Sequence, residues 1–180
     1  QIFALNSQRN IETYPYTVKK DYNDFEIRNY EASLFTSVKL STDAYDKGSG
    51  QGFSVLAGYI FGGNEAKENI AMTSPVVMTM QDSMTMMFMV PKKYNKETLP
   101  RPDQDRVEFK EEPAKTIAAI TFGGWANDDK IANYKEELKT ALAKEGIAYT
   151  NNFYVLGYNA PYEFFNRKNE VIVELENESL

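Results

Sequence analysis

Neither cysteine nor histidine occurs anywhere in the 180 residues. That double absence removes thiol nucleophiles, disulfides, Cys/His zinc and iron–sulfur centres, Ser-His-Asp triads and imidazole acid–base chemistry together. Asp, Glu, Lys, Tyr and Ser are left, and no nucleophile, base and orienting group form a constellation among them. The expectation is a binding protein, not an enzyme, with no catalytic and no metal-ligating residues. Cysteine usage is silent on the redox compartment. Positive charge is scarce too: 20 Lys and Arg face 26 Asp and Glu, a net charge of -6 at pH 7. Such a balance repels phosphate backbones and anionic lipid, so nucleic acid is excluded as a partner and the folded domain makes no membrane contact. No apolar run approaches the roughly 20 residues that span a bilayer. The chain opens on Gln1, and Ile2, Phe3, Ala4 and Leu5 follow. They read either as the tail of a removed leader or anchor, placing the protein outside the cytoplasm or on the envelope, or as a packed strand of a cytoplasmic chain.

What is present is organised around GFSVLAGYIFGGNEAKENIAMTSPV, Gly52 to Val76. Phe53, Leu56, Ala57 and Ile60 recur at i, i+3, i+4 and i+7, which places four apolar side chains on one helical face. Gly62 and Gly63 then stop the helix, because glycine reaches the left-handed conformation at little cost. Gly58, inside the helical run, costs about 1 kcal/mol relative to Ala. Either a sheet packs tightly against it, or it makes room for a flat ligand.

On either side the pattern alternates with period two. Strands are expected over Tyr16–Lys20, Phe25–Tyr30, Leu34–Leu40, Ile70–Met80 and Met84–Val90, with Ser41–Gly50 as a loop. Beyond a polar connector around Pro100 and Pro102, strands follow over Val107–Lys110, Lys115–Phe122, Phe153–Tyr158 and Glu170–Leu175. A second helix starts at Asn127 or Asp128 and ends before Gly146, its buried stripe being Ile131, Tyr134, Leu138 and Leu142. The order strand, strand, helix, strand, strand thus occurs twice, about 16–90 and 107–175, and reads as an internal duplication. Residues 1–13 form a lead-in, and 14–180 a single α+β domain, expected to be a monomer. Joining the two sheets into a curved, barrel-like structure with both helices packed on it buries every apolar stripe and leaves a ligand groove where helix meets sheet.

All seven methionines fall between Met72 and Met89. Met84 and Met86 share one strand face with Phe88, while Met87 and Met89 share the other. The strand is either core on both sides or part of an adaptable pocket for a planar ligand, in which a thioether is also a soft metal ligand. Tyr158, Tyr162, Phe164 and Phe165 gather around Pro161 as a stacking lip or a barrel plug. The acidic doublets Glu111-Glu112, Asp128-Asp129 and Glu136-Glu137 do not face each other on a helix, and caps or solvated faces account for them.

FEIRNY from Phe25, GFSVLAGYIFGGNE from Gly52, IAMTSPV from Ile70, PRP from Pro100, FGGW from Phe122 and GYNAPYEFFNRKNEV from Gly157 together resemble the SOUL family of haem-binding proteins, from about Tyr14 to Leu175. The resemblance implies a duplicated, distorted antiparallel β-barrel of two ββαββ units with two packed helices, similar to bacterial effector-binding domains. It also implies a hydrophobic cleft at the first helix that takes haem or a related tetrapyrrole. In some members an axial His is thought to sit where this chain has Asn29. The basic residues thought to pair with haem propionates align with Gly50, Gly58 and Glu163. The expected contacts here are therefore Phe53, Ala57, Gly58, Phe61, Met84, Met86, Phe164 and Phe165, with Lys47, Lys67, Arg167 and Lys168 as propionate partners. Binding of another hydrophobic small molecule, or of a protein without any ligand, stands as the alternative.

Overall fold

Short runs of β-branched, aromatic and Met residues form nine strands in the computed structural model, which describes residues 11–81, 83–159 and 163–176. The elements run β1 (Tyr16–Asp21), β2 (Glu26–Tyr30), β3 (Ser33–Lys39), α1 (Tyr45–Ile60), β4 (Val76–Thr79), β5 (Thr85–Met89), β6 (Glu108–Glu112), β7 (Lys115–Gly123), α2 (Asp128–Lys144), β8 (Tyr149–Gly157) and β9 (Lys168–Leu175). All strands join one antiparallel sheet in the order β1-β2-β7-β9-β8-β4-β5-β3-β6. Exchanging β2 with β6, β3 with β7, β4 with β8 and β5 with β9 reverses that order from β2 onward. The duplication is therefore a two-fold pseudo-symmetry centred on the β4–β8 pair, with β1 added outside it.

Alternation along each strand sends side chains to two faces, and both are buried at the centre of the sheet. One face carries the helices: Ile27, Val38, Met78, Met86, Phe88, Ile120, Val155 and Val173 pack under Leu56 and Ile60 of α1 and Leu138 and Leu142 of α2. The other gathers Tyr14, Tyr30, Phe35, Met87, Ile117, Leu156 and Ile172. Tyr14 stands 4.3 Å from Tyr30 and 5.1 Å from Phe35, ring centre to ring centre. Tyr30 lies on β2 and Phe35 on β3, near opposite ends of the sheet order. The sheet thus curls into a half-barrel with this second face inside. Val77, Met87, Val155, Leu156 and the rest of the central strands have no polar face to show, which is why β5 reads as a continuous Met-rich run.

Several expected boundaries shift for identifiable reasons. Helix α1 begins at Tyr45, so Tyr45 to Gly50, expected as loop, is helical. Gly48 and Ser49 mask the apolar periodicity there, yet burial of Gly48 and Gly52 gives the segment its packing face. Of Ile70–Met80, only Val76–Thr79 joins the ladder; Ser74-Pro75 is a cis peptide, and proline has no N–H to donate to a ladder. No sheet packs against Gly58, where an added Cβ would touch nothing within 4 Å. The tight glycines of this helix are Gly48, where an added Cβ would lie 2.9 Å from Thr42 and 3.0 Å from Leu40, and Gly52, where it would lie 3.2 Å from Leu40 and 3.3 Å from Met86. The second helix matches its expected bounds: Asn127 is its N-cap, its side chain accepting from the Lys130 amide at 2.8 Å.

Inside the half-barrel one ion pair is sealed from water. Glu170, fully buried, accepts from Arg28 through both guanidinium nitrogens, Nη1 lying 2.8 Å from Oε1. Thr121 Oγ1 at 2.8 Å and the Tyr158 hydroxyl also donate to it. The Arg28 Nε donates to Glu26 Oε1 at 2.6 Å, and its guanidinium lies 4.4 Å from the Tyr16 ring centre. Burial opposes ionisation of Glu170 more than any other single effect. The Arg28 hydrogen bonds and charge, with the Tyr158 and Thr121 donors, together outweigh it and hold the carboxyl below its ordinary range. A carboxyl depressed on folding contributes stability above its unfolded pKa and loses it as pH falls. Stability should therefore drop as pH falls through and below 4.5, the ordinary value for Glu. Glu170→Gln should cost about 3–5 kcal/mol at pH 7, because it strands a buried guanidinium, and should flatten the acid loss. Urea unfolding of both proteins from pH 7 to pH 3 measures this, and parallel acid limbs would clear Glu170 of the role.

Candidate functional site

Helix α1 crosses the sheet with a face of small residues, and that decides where space remains. Tyr45, Ser49 and Phe53 follow one another at i, i+4 and i+8, flanked by Gly50 and Ser54, and all five line a cleft of about 440 Å³. Its floor comes from the helix-bearing face at the pseudo-symmetry centre: Val76 and Met78 on β4, Met86 on β5, Val155 and Gly157 on β8. Their register is direct, Val76 opposite Gly157 and Met78 between Met86 and Val155. Phe53 is steadied by an edge-on contact with Phe88 at 5.4 Å. The rim is supplied by Trp125 and Ala126 before α2, and by Asn159, Arg167 and Asn169 around the start of β9.

The rim is polar and internally bonded. The Arg167 guanidinium lies 3.8 Å from the Trp125 ring centre, and its Nη1 donates to the Glu163 carbonyl at 2.7 Å. Asn169 donates to the Gly124 carbonyl at 2.7 Å, while Asn159 donates to the Glu163 carboxylate at 2.8 Å. The Tyr45 phenol is pushed up by burial, an effect that the nearby Arg167 charge opposes. Among the described lining residues Arg167 is the one charged side chain. The cleft thus pairs an apolar floor with a cationic edge, and the described lining residues include no carboxylate.

A cap made in trans holds the two helix starts together at this end. Ala44 offers α1 no side-chain cap. Asp128, on α2, accepts instead from the Tyr45 amide at 2.7 Å and the Asp46 amide at 3.1 Å, while Asp46 accepts from the Asp128 amide at 3.3 Å. Two carboxylates at two positive helix ends serve each other's orphan N–H groups. Desolvation, then the hydrogen bond and charge of Asp128, push the Asp46 carboxyl up.

The structure brings Phe53, Met86 and Arg167 together and leaves the other expected contacts elsewhere. Ala57 packs half-buried against the core, and Met84 is buried at 1% exposure. Phe61, at the α1 C-terminus, and Phe164 and Phe165 are exposed; Phe164 meets Trp125 edge-on at 6.0 Å. Lys47 and Lys67 point to solvent, and Lys168 covers the Tyr158 ring at 4.4 Å. Gly50 does line the cleft, and Glu163 supports its rim. Asn29 is exposed on β2 and accepts from the Thr116 hydroxyl at 2.7 Å. Tyr162 and Pro161 lie outside the described residues. Sequence reasoning missed Tyr45, Trp125, Met78, Asn159 and Asn169. The stripe Tyr45, Ser49, Phe53 would have revealed the first, had the helix been started five residues before Gly50.

The fold defines a class, the curled half-barrels similar to effector-binding domains. The EcmrR C-terminal domain superimposes with a TM-score of 0.67 at 11% identity, covering 89% of this chain and 98% of that one. SAV2435 bound to tetraphenylphosphonium gives 0.55 at 10% identity over 86% and 94%. At such identities the likeness shows the fold alone. In sequence, the description "SOUL heme-binding protein" matches residues 11–174, and the chain belongs to that family. Heme-binding protein 1 of Xenopus tropicalis is 27% identical over 161 residues, covering 85% of this chain and 84% of its own.

The trans cap gives a local prediction. Asp128→Ala should cost about 1 kcal/mol, the usual loss for a helix cap, and should speed hydrogen exchange at the Tyr45 and Asp46 amides while leaving the core of α2 protected. Unchanged exchange at those two amides would show that water caps α1 equally well.

Proposed function

We propose that the protein is a non-enzymatic binder of haem or a related tetrapyrrole, held in the α1 cleft with one macrocycle face on Phe53, Met78 and Met86 and a carboxylate at Arg167. The observation that carries this reading is the combination of an open apolar floor with a single cationic rim group, which matches a flat hydrophobic plate with an acidic edge. Family membership supports the same ligand class. Bound haem would also bring a redox-active iron, and the chain offers it no imidazole; the thioethers of Met78 and Met86 are the soft donors at hand. Ring contact and charge therefore carry the affinity. The ligand is a small molecule and the protein acts as a monomer, without nucleic acid.

A different hydrophobic ligand is the second reading, favoured by the fold shared with SAV2435, whose bound ligand is a lipophilic cation. Arg167 and the lack of a carboxylate among the described lining residues oppose a cation here. A ligand-free docking module would be expected to fill the cleft with its own side chains, and about 440 Å³ stays open. Among the described residues no helix is long and apolar enough to cross a membrane. We place the protein in the cytoplasm or, behind a leader, outside it.

Haem titration of the whole chain should give a saturable Soret shift at one equivalent. Phe53→Asp, which puts a carboxylate on the floor, should weaken it at least about tenfold, since one well-buried aromatic contact is worth about 1.5–3 kcal/mol. A non-saturating shift, or one unchanged in Phe53→Asp, would overturn the proposal.

A further inference from the structure

Among the described lining residues the one charged group, that of Arg167, sits on a long side chain, and an unrestrained side chain of that length samples many rotamers before it meets a ligand. We infer that Trp125 is a positioning residue: it holds Arg167 so that the cleft selects acidic hydrophobic ligands over neutral or cationic ones of the same shape. This rests on the ligand class proposed above for the same site and adds what sets its charge preference.

Stacking is suited to that task. The guanidinium is planar, and its N–H donors radiate in the plane. At 3.8 Å from the indole centre it lies well within cation–π reach of Trp125. The indole quadrupole attracts the cation over its π face. The Glu163 carbonyl, taking one Nη1 donor at 2.7 Å, fixes rotation about the stacking axis.

Trp125 is itself anchored, although half of it is exposed. It follows Gly124, whose φ of +77° is open to glycine and strained for other residues. The Gly124 carbonyl accepts from the Asn169 side chain at 2.7 Å. Asn169 is 3% exposed and belongs to β9, next to Glu170 of the buried ion pair. A continuous line of contacts thus runs from the sheet through Asn169 and Gly124 to the indole, and from the indole to the guanidinium. Phe164 closes the outer edge of the indole. Every other basic side chain considered for this role lies away from the lining, so the charge preference of the cleft depends on one stacked pair.

The test compares ligands that differ only in charge, on the full chain. Haemin and its dimethyl ester form the first pair; tetraphenylborate and tetraphenylphosphonium, alike in shape and opposite in sign, form the second. Wild type should bind haemin about tenfold more tightly than the ester, as one charge-assisted hydrogen-bonded contact predicts, and should prefer the borate. Trp125→Leu and Arg167→Gln should each bring both ratios close to one, with the double variant no different from either. Trp125→Phe should restore part of the preference. Melting curves confirm that the variants fold, which the exposure of Trp125 favours. If Trp125→Leu weakens acid and ester by the same factor, the indole is merely a wall and the inference fails. If neither porphyrin binds but the borate preference persists and depends on Trp125, the tetrapyrrole reading fails and this inference stands. Loss of both preferences in wild type would sink it.

Discussion

Antiparallel pairing of β4 with β8 is the contact on which the rest of the molecule depends. Without it the sheet would split into β1-β2-β7-β9-β8 and β4-β5-β3-β6, each with an open edge at the break. Laying Val76–Thr79 against Tyr154–Gly157 closes both edges and makes one continuous nine-stranded sheet. The same seam becomes the floor of the cleft, because Val76, Met78, Val155 and Gly157 face the helices there. A site at the junction of two repeats follows from how the core is completed. The inner face of the curl is then sealed by aromatics from distant strands, Tyr14 and Tyr30 against Phe35.

Pseudo-symmetry alone would give two equivalent grooves, and the side chains of the helices break the equivalence. Helix α2 presents Ile131, Leu138 and Leu142 to the sheet, with Tyr134 stacked on Phe122 at 4.5 Å, and fills its side. Helix α1 presents Gly48, Ser49, Gly50, Gly52 and Ser54. It approaches closely at Gly48 and Gly52, where an added Cβ would crowd Thr42, Leu40 and Met86, and stays thin at Ser49, Gly50 and Ser54, which line the open space. The same backbone plan therefore gives core on one side and a cavity on the other. Charge is distributed with comparable economy. Arg28 is compensated by Glu170 and Glu26 inside the barrel, whereas Arg167 at the rim meets an aromatic face and a backbone carbonyl.

Much of the fold was legible beforehand, and the reasons are local. The stripe in Asn127–Gly146, with its own cap and its own closing glycine, reads correctly to within a residue or two. The alternation in Phe25–Tyr30 and in Met84–Val90 assigns faces correctly, Met86 and Phe88 to one side and Met87 and Met89 to the other. Period-two and period-3.6 patterns survive because burial acts on each element directly. The site was legible in part. Phe53, Met86 and Arg167 were named; Gly58, Met84, Phe61, Lys47 and Lys67 were named and do not line it. Gly58 misled because an unusual glycine in a helix marks a possible close approach, and the approach is made at Gly48 and Gly52, earlier in the same helix. Tyr45 was missed because its helix is capped from another element, by Asp128, across 83 positions of sequence.

Residue order by itself determined the classes of chemistry excluded, the repeated succession of strands and helices, and which side of each element is apolar, since these depend on composition and on spacing along the chain. Only the tertiary structure decided that β4 meets β8, that Asp128 starts α1, that Arg28 finds Glu170, and that Trp125 carries Arg167. Those pairings join residues far apart in the chain, and what selects them is mutual fit of shape and charge in three dimensions, a quantity that no local pattern encodes.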